Sequence, residues 1–222
     1  LKREFLTTAD GSVTIHLPEW NEQYHSKHGA IAEAKHVFIR AGLHYFTKAH
    51  PDQKTIELLE IGFGTGLNAL LTVVEAETLS RTINYTGVEA YPVATSEVEK
   101  LNYPALLSVP FSTFQALHET VWEEFFQIEP GFALRKQQKK FSEIDENQRY
   151  HLIYFDAFGA RVQPELWTAS IFSNMYKALK PGGALVTYAA KGSVRRAMQA
   201  VGFTVERLAG PPGKREMLRA VR

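Results

Sequence analysis

The chain has 222 residues, 45% hydrophobic and 22% charged, with a formal net charge of +1 and no cysteine. That is enough chain for one domain with a real core, and it excludes a disulfide framework, a thiolate metal site and a cysteine nucleophile. No apolar run approaches the roughly 18 residues of a membrane span, and the start, Leu1-Lys2-Arg3-Glu4-Phe5, lacks the apolar region of a signal peptide, so a cytoplasmic protein without a membrane partner is expected.

In chain order, 3–8 and 12–16 read as two short strands. Asp10-Gly11 between them is a hairpin signal, because glycine accepts the positive φ of such turns. Apolar residues at helical spacing, among them Ile31, Ala34, Val37, Phe38 and Ala41, predict a helix over 30–47. Strands are expected at 55–61, 82–88, 132–141, 152–155 and 184–189, and helices at 67–77, 92–100, 111–127, 167–179 and 193–201. Pro181-Gly182-Gly183 is read as a helix stop, and 203–208 with 216–221 as a closing strand pair. This alternation predicts an α/β fold with a doubly wound, mostly parallel sheet. One antiparallel terminal strand follows from the last pair, which lacks a crossover helix. Residues 1–50 read as a hairpin-and-helix extension packed on the core, and 51–222 as the ligand-binding domain. Leu1 in place of an initiator Met suggests that the numbering omits the natural start.

The most informative stretch is Glu60-Ile61-Gly62-Phe63-Gly64-Thr65-Gly66-Leu67-Asn68, which follows a strand and opens a helix. Gly62 and Gly64 permit a tight turn and close approach of a ligand to the backbone. A dinucleotide loop would carry its third glycine one residue later than Gly66. Glu60 is a poor neighbour for a pyrophosphate and a good one for an ammonium, directly or through water. S-adenosyl-L-methionine has an amino-acid group, a sulfonium and no phosphate, so the loop favours it over NAD. Glu89 ends the next strand about 20 residues on, where a carboxylate can bond both ribose hydroxyls; a solvated strand-end Glu is the plainer alternative.

Four stretches resemble the methyltransferase domain of the MnmC family and its stand-alone relatives, MnmD. They are the glycine stretch above; Tyr24-His25-Ser26 with Gly29-Ala30, Glu33 and Val37-Phe38; Asp156-Ala157-Phe158 with Pro164 and Trp167; and Lys214-Arg215-Glu216-Met217-Leu218. The resemblance implies a class I, Rossmann-like methyltransferase. It implies transfer of a methyl group to the amine of 5-aminomethyl-2-thiouridine at the tRNA wobble position, giving the 5-methylaminomethyl form. It also implies that Asn68 joins Glu60, Gly62, Gly64, Gly66 and Glu89 around the cofactor, and that Tyr24 closes the site. Bifunctional relatives add a flavin-dependent oxidoreductase domain; 222 residues leave no room for one, so no FAD is expected, and a separate oxidoreductase or upstream wobble-modification enzyme would supply the amine. The family's acidic residue after the third strand is missing from Arg135–Lys140, leaving Gln137, Gln138 or backbone groups for the adenine. A proline common shortly after Asp-x-Phe is missing from Gly159-Ala160-Arg161-Val162.

Asp156 should stand at the carboxyl end of a central strand, where ligands bind in open α/β sheets. An alkyl ammonium has no lone pair, and a carboxylate there can orient the amine and help its proton leave; a turn cap is the alternative. Phe158 either lines the target pocket and stacks on a flipped base or fills core. From Lys191 to Arg222 eight basic residues face two acidic ones, which points to an anionic partner, tRNA, or to a merely solvated surface. Lys214 and Arg215, beside Gly210-Pro211-Pro212-Gly213, are placed on an exposed, mobile loop that can neutralise phosphates. The eight histidines show no metal spacing, so no metal is expected, and the protein is read as a monomer. The alternatives are a methyltransferase for another amine, an NAD(P)-dependent oxidoreductase and a non-catalytic tRNA-binding module with a decayed methyltransferase fold.

Overall fold

The computed structural model describes residues 2–222; Leu1, the first residue of the expected extension, lies outside them. Strands β1 (Glu4–Thr7) and β2 (Val13–Leu17) form the expected antiparallel hairpin, and a two-residue strand β3 (Glu22–Gln23) adds to it. A continuous helical run follows, α1 (Ala30–Ala34), a π-helical stretch Lys35–His44 and α2 (Tyr45–Ala49). Gly42 lets this run approach the sheet: a Cβ there would stand 2.9 Å from Val186 and 3.2 Å from Tyr154.

The main sheet then builds through β4 (Thr55–Ile61), α3 (Leu67–Leu79) and β5 (Thr82–Val88). Short helices α4 (Thr95–Val98) and α5 (Tyr103–Leu107) lead to α6 (Phe111–Glu119), β6 (Phe125–Glu129) and β7 (Phe132–Gln137). The chain returns as β8 (Tyr150–Phe155), α7 (Ala169–Ala178), β9 (Leu179–Thr187), α8 (Gly192–Ala200), β10 (Thr204–Ala209) and β11 (Glu216–Val221). The strand order is β10-β11-β9-β8-β4-β5-β7-β6. The strands β9-β8-β4-β5-β7 run parallel, so the order reverses between β4 and β8. A reversal of this kind opens a crevice at the carboxyl ends of the two strands.

Alternation sends successive side chains of β4 to opposite faces. Ile56 and Leu58 join the core under α3 and the π-helical run, with Phe38, Leu43 and Leu70. Leu59 and Ile61 join the core under α7 and α8, with Phe155, Phe172 and Met198. Glu60 therefore shares the α3 face.

Three expectations need correction. The helix over 111–127 stops at Glu119, because Thr120 turns out of helical conformation and Glu123 takes φ +73. Its second half is β6, an edge strand whose Phe125 and Phe126 stay 42% and 39% exposed. β6 is antiparallel to β7, so antiparallel pairing occurs at both edges of the sheet. Pro181-Gly182-Gly183 does not separate helix from strand either. It lies inside β9, where the register against β8 shifts between Tyr150 and Leu152 and a bulge accommodates the proline.

Candidate active site

The site grows from the ends of β4 and β8. Ile61 pairs with Phe155, and the Asp156 N–H donates to the Ile61 carbonyl at 2.9 Å. The chain leaves β4 through Gly62, at φ +88; a Cβ here would lie 2.7 Å from the Asp156 carbonyl oxygen. Gly64, at φ +50, faces the Tyr24 ring, which a Cβ would meet at 3.3 Å. Gly66, at φ +73, caps α3 and packs on His118, 2.9 Å from where its Cβ would be. Gly87 in β5 was not singled out from sequence. A Cβ there would fall 2.4 Å from the Phe63 ring, so this glycine seats the loop; an isolated glycine inside a strand is the signal for such an approach.

Around this loop opens a cavity of about 1330 Å³. Of the expected residues, Tyr24, Gly62, Gly64, Asn68, Glu89, Asp156, Phe158 and Lys214 line it. Gly66 and Arg215 do not: the first is packed under His118, and the second is exposed on the outer surface. Glu60 is fully buried behind Asn68 and does not line the cavity, which leaves it the indirect one of the two expected routes to an ammonium. Gln137 and Gln138 do not line it either; the Gln137 amide and the Gln138 N–H both turn to Glu123, and Lys140, Phe141 and Ser142 bound that end instead.

The carboxylates are arranged in order. Glu89 accepts from the Gly64 N–H at 3.1 Å and the Tyr91 N–H at 2.9 Å, so the glycine loop holds it at the cavity edge. Asn68 Nδ2 donates to Glu60 Oε1 and to Asp156 Oδ2, both at 2.8 Å. Burial drives the Glu60 carboxyl well above the ordinary range. Burial, then the Glu33 charge, pushes Asp156 up to about 7, while the Asn68 bond and Lys214 act the other way. Asp156 thus changes charge near neutral pH, where a general base is most useful.

The N-terminal extension walls the cavity. Trp20, Tyr24 and Phe158 form an aromatic edge, with Phe158 T-stacked on Trp20 at 5.7 Å and on Tyr24 at 4.9 Å. Arg161, in the stretch lacking the family proline, donates to the carbonyls of Trp20 and Asn21 at 3.0 and 2.9 Å. Trp167 and Tyr188 fix the Asp156–Phe158 loop by donating to the Phe158 and Ala157 carbonyls, each at 2.8 Å. His25 is half-buried beside Thr14 and Thr65, and desolvation lowers its pKa to about 4, so it is a neutral cavity wall. No local sequence pattern announces this position for His25, although Tyr24-His25-Ser26 is one of the stretches that carry the family resemblance.

The Gly210–Gly213 loop is not the free loop expected from composition. Pro211 is buried, and a Cβ on Gly213 would collide with His28 at 2.2 Å. Lys214 Nζ pairs with buried Glu33 and lies 3.8 Å from the Tyr188 ring centroid. Much of the basic tail is engaged in the same way. Arg219 pairs with Glu206 at 2.6 Å and Arg207 with Glu216 at 3.6 Å, while Arg222 donates to backbone carbonyls. Among the described residues no cluster of His, Asp or Glu could hold a metal, and no helix is long and apolar enough to cross a membrane.

A family model described as S-adenosyl-L-methionine-dependent methyltransferase matches residues 118–222. The tRNA 5-methylaminomethyl-2-thiouridine biosynthesis bifunctional protein MnmC of Burkholderia thailandensis is 27% identical over 231 residues. That match takes in 94% of this chain and 33% of the relative, so the chain spans about a third of the length of such curated relatives. The protein of the same name from Burkholderia pseudomallei is 28% identical over 229 residues, again 94% of this chain and 34% of the relative. Among solved structures, MNMC2 from Aquifex aeolicus superposes with a TM-score of 0.77 at 24% identity, covering 99% of this chain and 70% of that one. Spermidine synthase from Thermotoga maritima shares the fold at a TM-score of 0.54 and 12% identity, covering 98% and 67%.

Proposed function

We propose that this chain is an S-adenosyl-L-methionine-dependent methyltransferase of the MnmC type, like the proteins it is similar to, and that it methylates the amine of 5-aminomethyl-2-thiouridine at the tRNA wobble position. The observation that carries this reading is Asp156, a carboxylate poised near neutrality at the strand-order reversal, with aromatic rings on one side and the glycine loop on the other. The donor set suits the cofactor. Gly62 and Gly64 leave room against the backbone, Glu89 offers oxygens to ribose hydroxyls, and the buried Asn68 Oδ1 has no partner in the protein. That oxygen can accept from the cofactor's ammonium. Bound there, S-adenosylmethionine supplies an electrophilic methyl group on a sulfonium.

The protein's own groups do the rest. Trp20, Tyr24 and Phe158 hold an extruded base edge-on or by stacking. Asp156 accepts a hydrogen bond from the acceptor's amine and takes the proton that nitrogen must shed, so that its lone pair can face the methyl carbon. As the N–C bond forms, the S–C bond breaks and the electron pair stays on sulfur. Holding nitrogen, carbon and sulfur in line supplies much of the remaining acceleration. The test of the reaction is transfer of labelled methyl to tRNA carrying the aminomethyl group. Tritium should enter that tRNA and not tRNA in which the group is absent; equal labelling of both would refute the acceptor.

Ion pairing in the tail refines the tRNA contact. Arg215 is exposed and free to meet a phosphate, whereas Lys214 is committed to Glu33 and the cavity. Arg215→Ala should weaken tRNA binding and lower the slope of log K against log salt by about 1, leaving cofactor affinity unchanged. Lys214→Ala should instead lower thermal stability, since it leaves Glu33 buried without its partner. Filter binding over a salt series with calorimetry of the cofactor checks both; an unaltered slope for Arg215→Ala would make the outer basic surface merely solvated.

A further inference from the structure

We propose that Asn68 is a positioning residue for methyl transfer, an amide bridge whose two N–H groups hold the Asp156 and Glu60 carboxylates in one arrangement. The inference rests on Asp156 acting as the base. The bridge is dictated by local structure. Glu60 is the penultimate residue of β4, on the face toward α3, and Asn68 is the second residue of that helix. The Gly62–Gly66 turn brings the helix start back over the strand end. The Asn68 side chain then lies between β4 and β8, 2% exposed, with Nδ2 at 2.8 Å from each carboxylate.

The orientation of the amide follows from chemistry. Ionised carboxylates only accept, and a primary amide nitrogen has two hydrogens to give. Turning the amide over would set its carbonyl against the acceptor oxygen of ionised Asp156, whereas Glu60, which burial keeps protonated, still presents a carbonyl oxygen to Nδ2. With Oδ2 of Asp156 bound by Asn68, Oδ1 is the oxygen that meets the acceptor amine. The fixed orientation matters because a base displaced by about 1 Å can lose about 10²-fold in rate.

Several charged and titratable groups face Asp156. They are Glu33 from α1, Glu60 from β4, Tyr85 from β5, Tyr188 past the end of β9, and Lys214 from the β10–β11 loop. Burial and the Glu33 charge oppose ionisation of Asp156, Lys214 favours it, and the Asn68 bond favours it directly. Removing that bond while burial and the Glu33 charge remain must make the carboxylate harder to ionise. The base form would then be reached only at higher pH.

The experiment is single-turnover methylation of aminomethyl-bearing tRNA at saturating S-adenosylmethionine, followed across a pH series for wild type, Asn68→Ala, Asn68→Ser and Asp156→Asn. The Asp156→Asn profile supplies the limb that belongs to the substrate amine alone. Asn68→Ala should move the enzyme's acidic limb up by about 1 pH unit, slow the reaction about 10-fold at neutral pH and recover at alkaline pH. Asn68→Ser, with a single hydrogen to donate, should fall between and guards against a folding defect in the alanine variant. An unmoved limb in both variants, with Asp156→Asn still slow, would overturn the bridge and leave the base intact. A raised cofactor Kd with no shift of the limb would likewise overturn it, assigning Asn68 to cofactor binding alone. Wild-type speed in Asp156→Asn would overturn the base and the bridge together.

Discussion

Asp156→Asn is expected to slow methyl transfer by roughly 10²-fold or more at neutral pH while leaving cofactor affinity nearly unchanged. The substitution keeps the shape. The new Oδ1 can still accept from Asn68 Nδ2, so the strand end should not rearrange. What is lost is the group that takes the proton from the amine. With its pKa at about 7, Asp156 is the active carboxylate above neutrality and an inert acid below it. The wild-type rate should therefore fall as pH drops through 7. The deficit of the mutant should narrow at high pH, where the amine is already free of its extra proton.

The same shift has a consequence for stability. A carboxyl raised from 3.8 to about 7 keeps its proton in the folded state across a range where the unfolded chain releases it. Stability contributed by this group falls as pH rises from about 4 to 7, and above 7 the full penalty remains. Asp156→Asn removes that penalty, on the order of 2–4 kcal/mol at about 1.4 kcal/mol per unit. The slow mutant should therefore melt several degrees higher than wild type at pH 8, with the difference vanishing near pH 4. Stopped-flow methylation and thermal melts over the same pH range check both halves. A mutant that is fast at neutral pH would reduce Asp156 to a turn cap.

Gly64→Val should weaken S-adenosylmethionine binding at least about 10-fold. Two causes act together. The backbone at φ +50 disfavours a β-branched residue by about 1–2 kcal/mol. The new Cβ would also lie 3.3 Å from the Tyr24 ring, and the two methyls beyond it would occupy the crevice that the cofactor must enter. Gly11→Val separates the causes. Gly11 has φ +82 but nothing within 4 Å of a Cβ, and it sits in the hairpin turn away from the cavity. It should cost stability and leave affinity alone. Calorimetry on both folded variants gives the comparison; equal affinity in Gly64→Val would place the cofactor elsewhere.

Legibility in the sequence followed physical range. β4 and β5 run over the residues expected because glycines and polar turns bound short apolar runs on both sides. The glycine loop declared itself because a strand, three glycines and a helix are contiguous. β6 did not, because Phe125 and Phe126 at an exposed sheet edge mimic the apolar face of a helix, and only the turn at Glu123 separates them. The basic tail looked freer than it is. Lys214 meets Glu33, 181 residues earlier, and no local pattern could announce that pair. Glu60 was expected at the cofactor because its spacing fits. Its place behind Asn68 depends on how the helix folds back over the strand. His25 and Trp20 reach the cavity through the N-terminal extension, whose packing on the sheet is tertiary information.

Methylation of the wobble amine can be read by mass spectrometry of nucleosides from tRNA incubated with this protein and S-adenosylmethionine bearing a deuterated methyl group. 5-Aminomethyl-2-thiouridine should disappear, and 5-methylaminomethyl-2-thiouridine carrying the heavy methyl should take its place. Heavy methyl on any other nucleoside, with the aminomethyl nucleoside left intact, would contradict it.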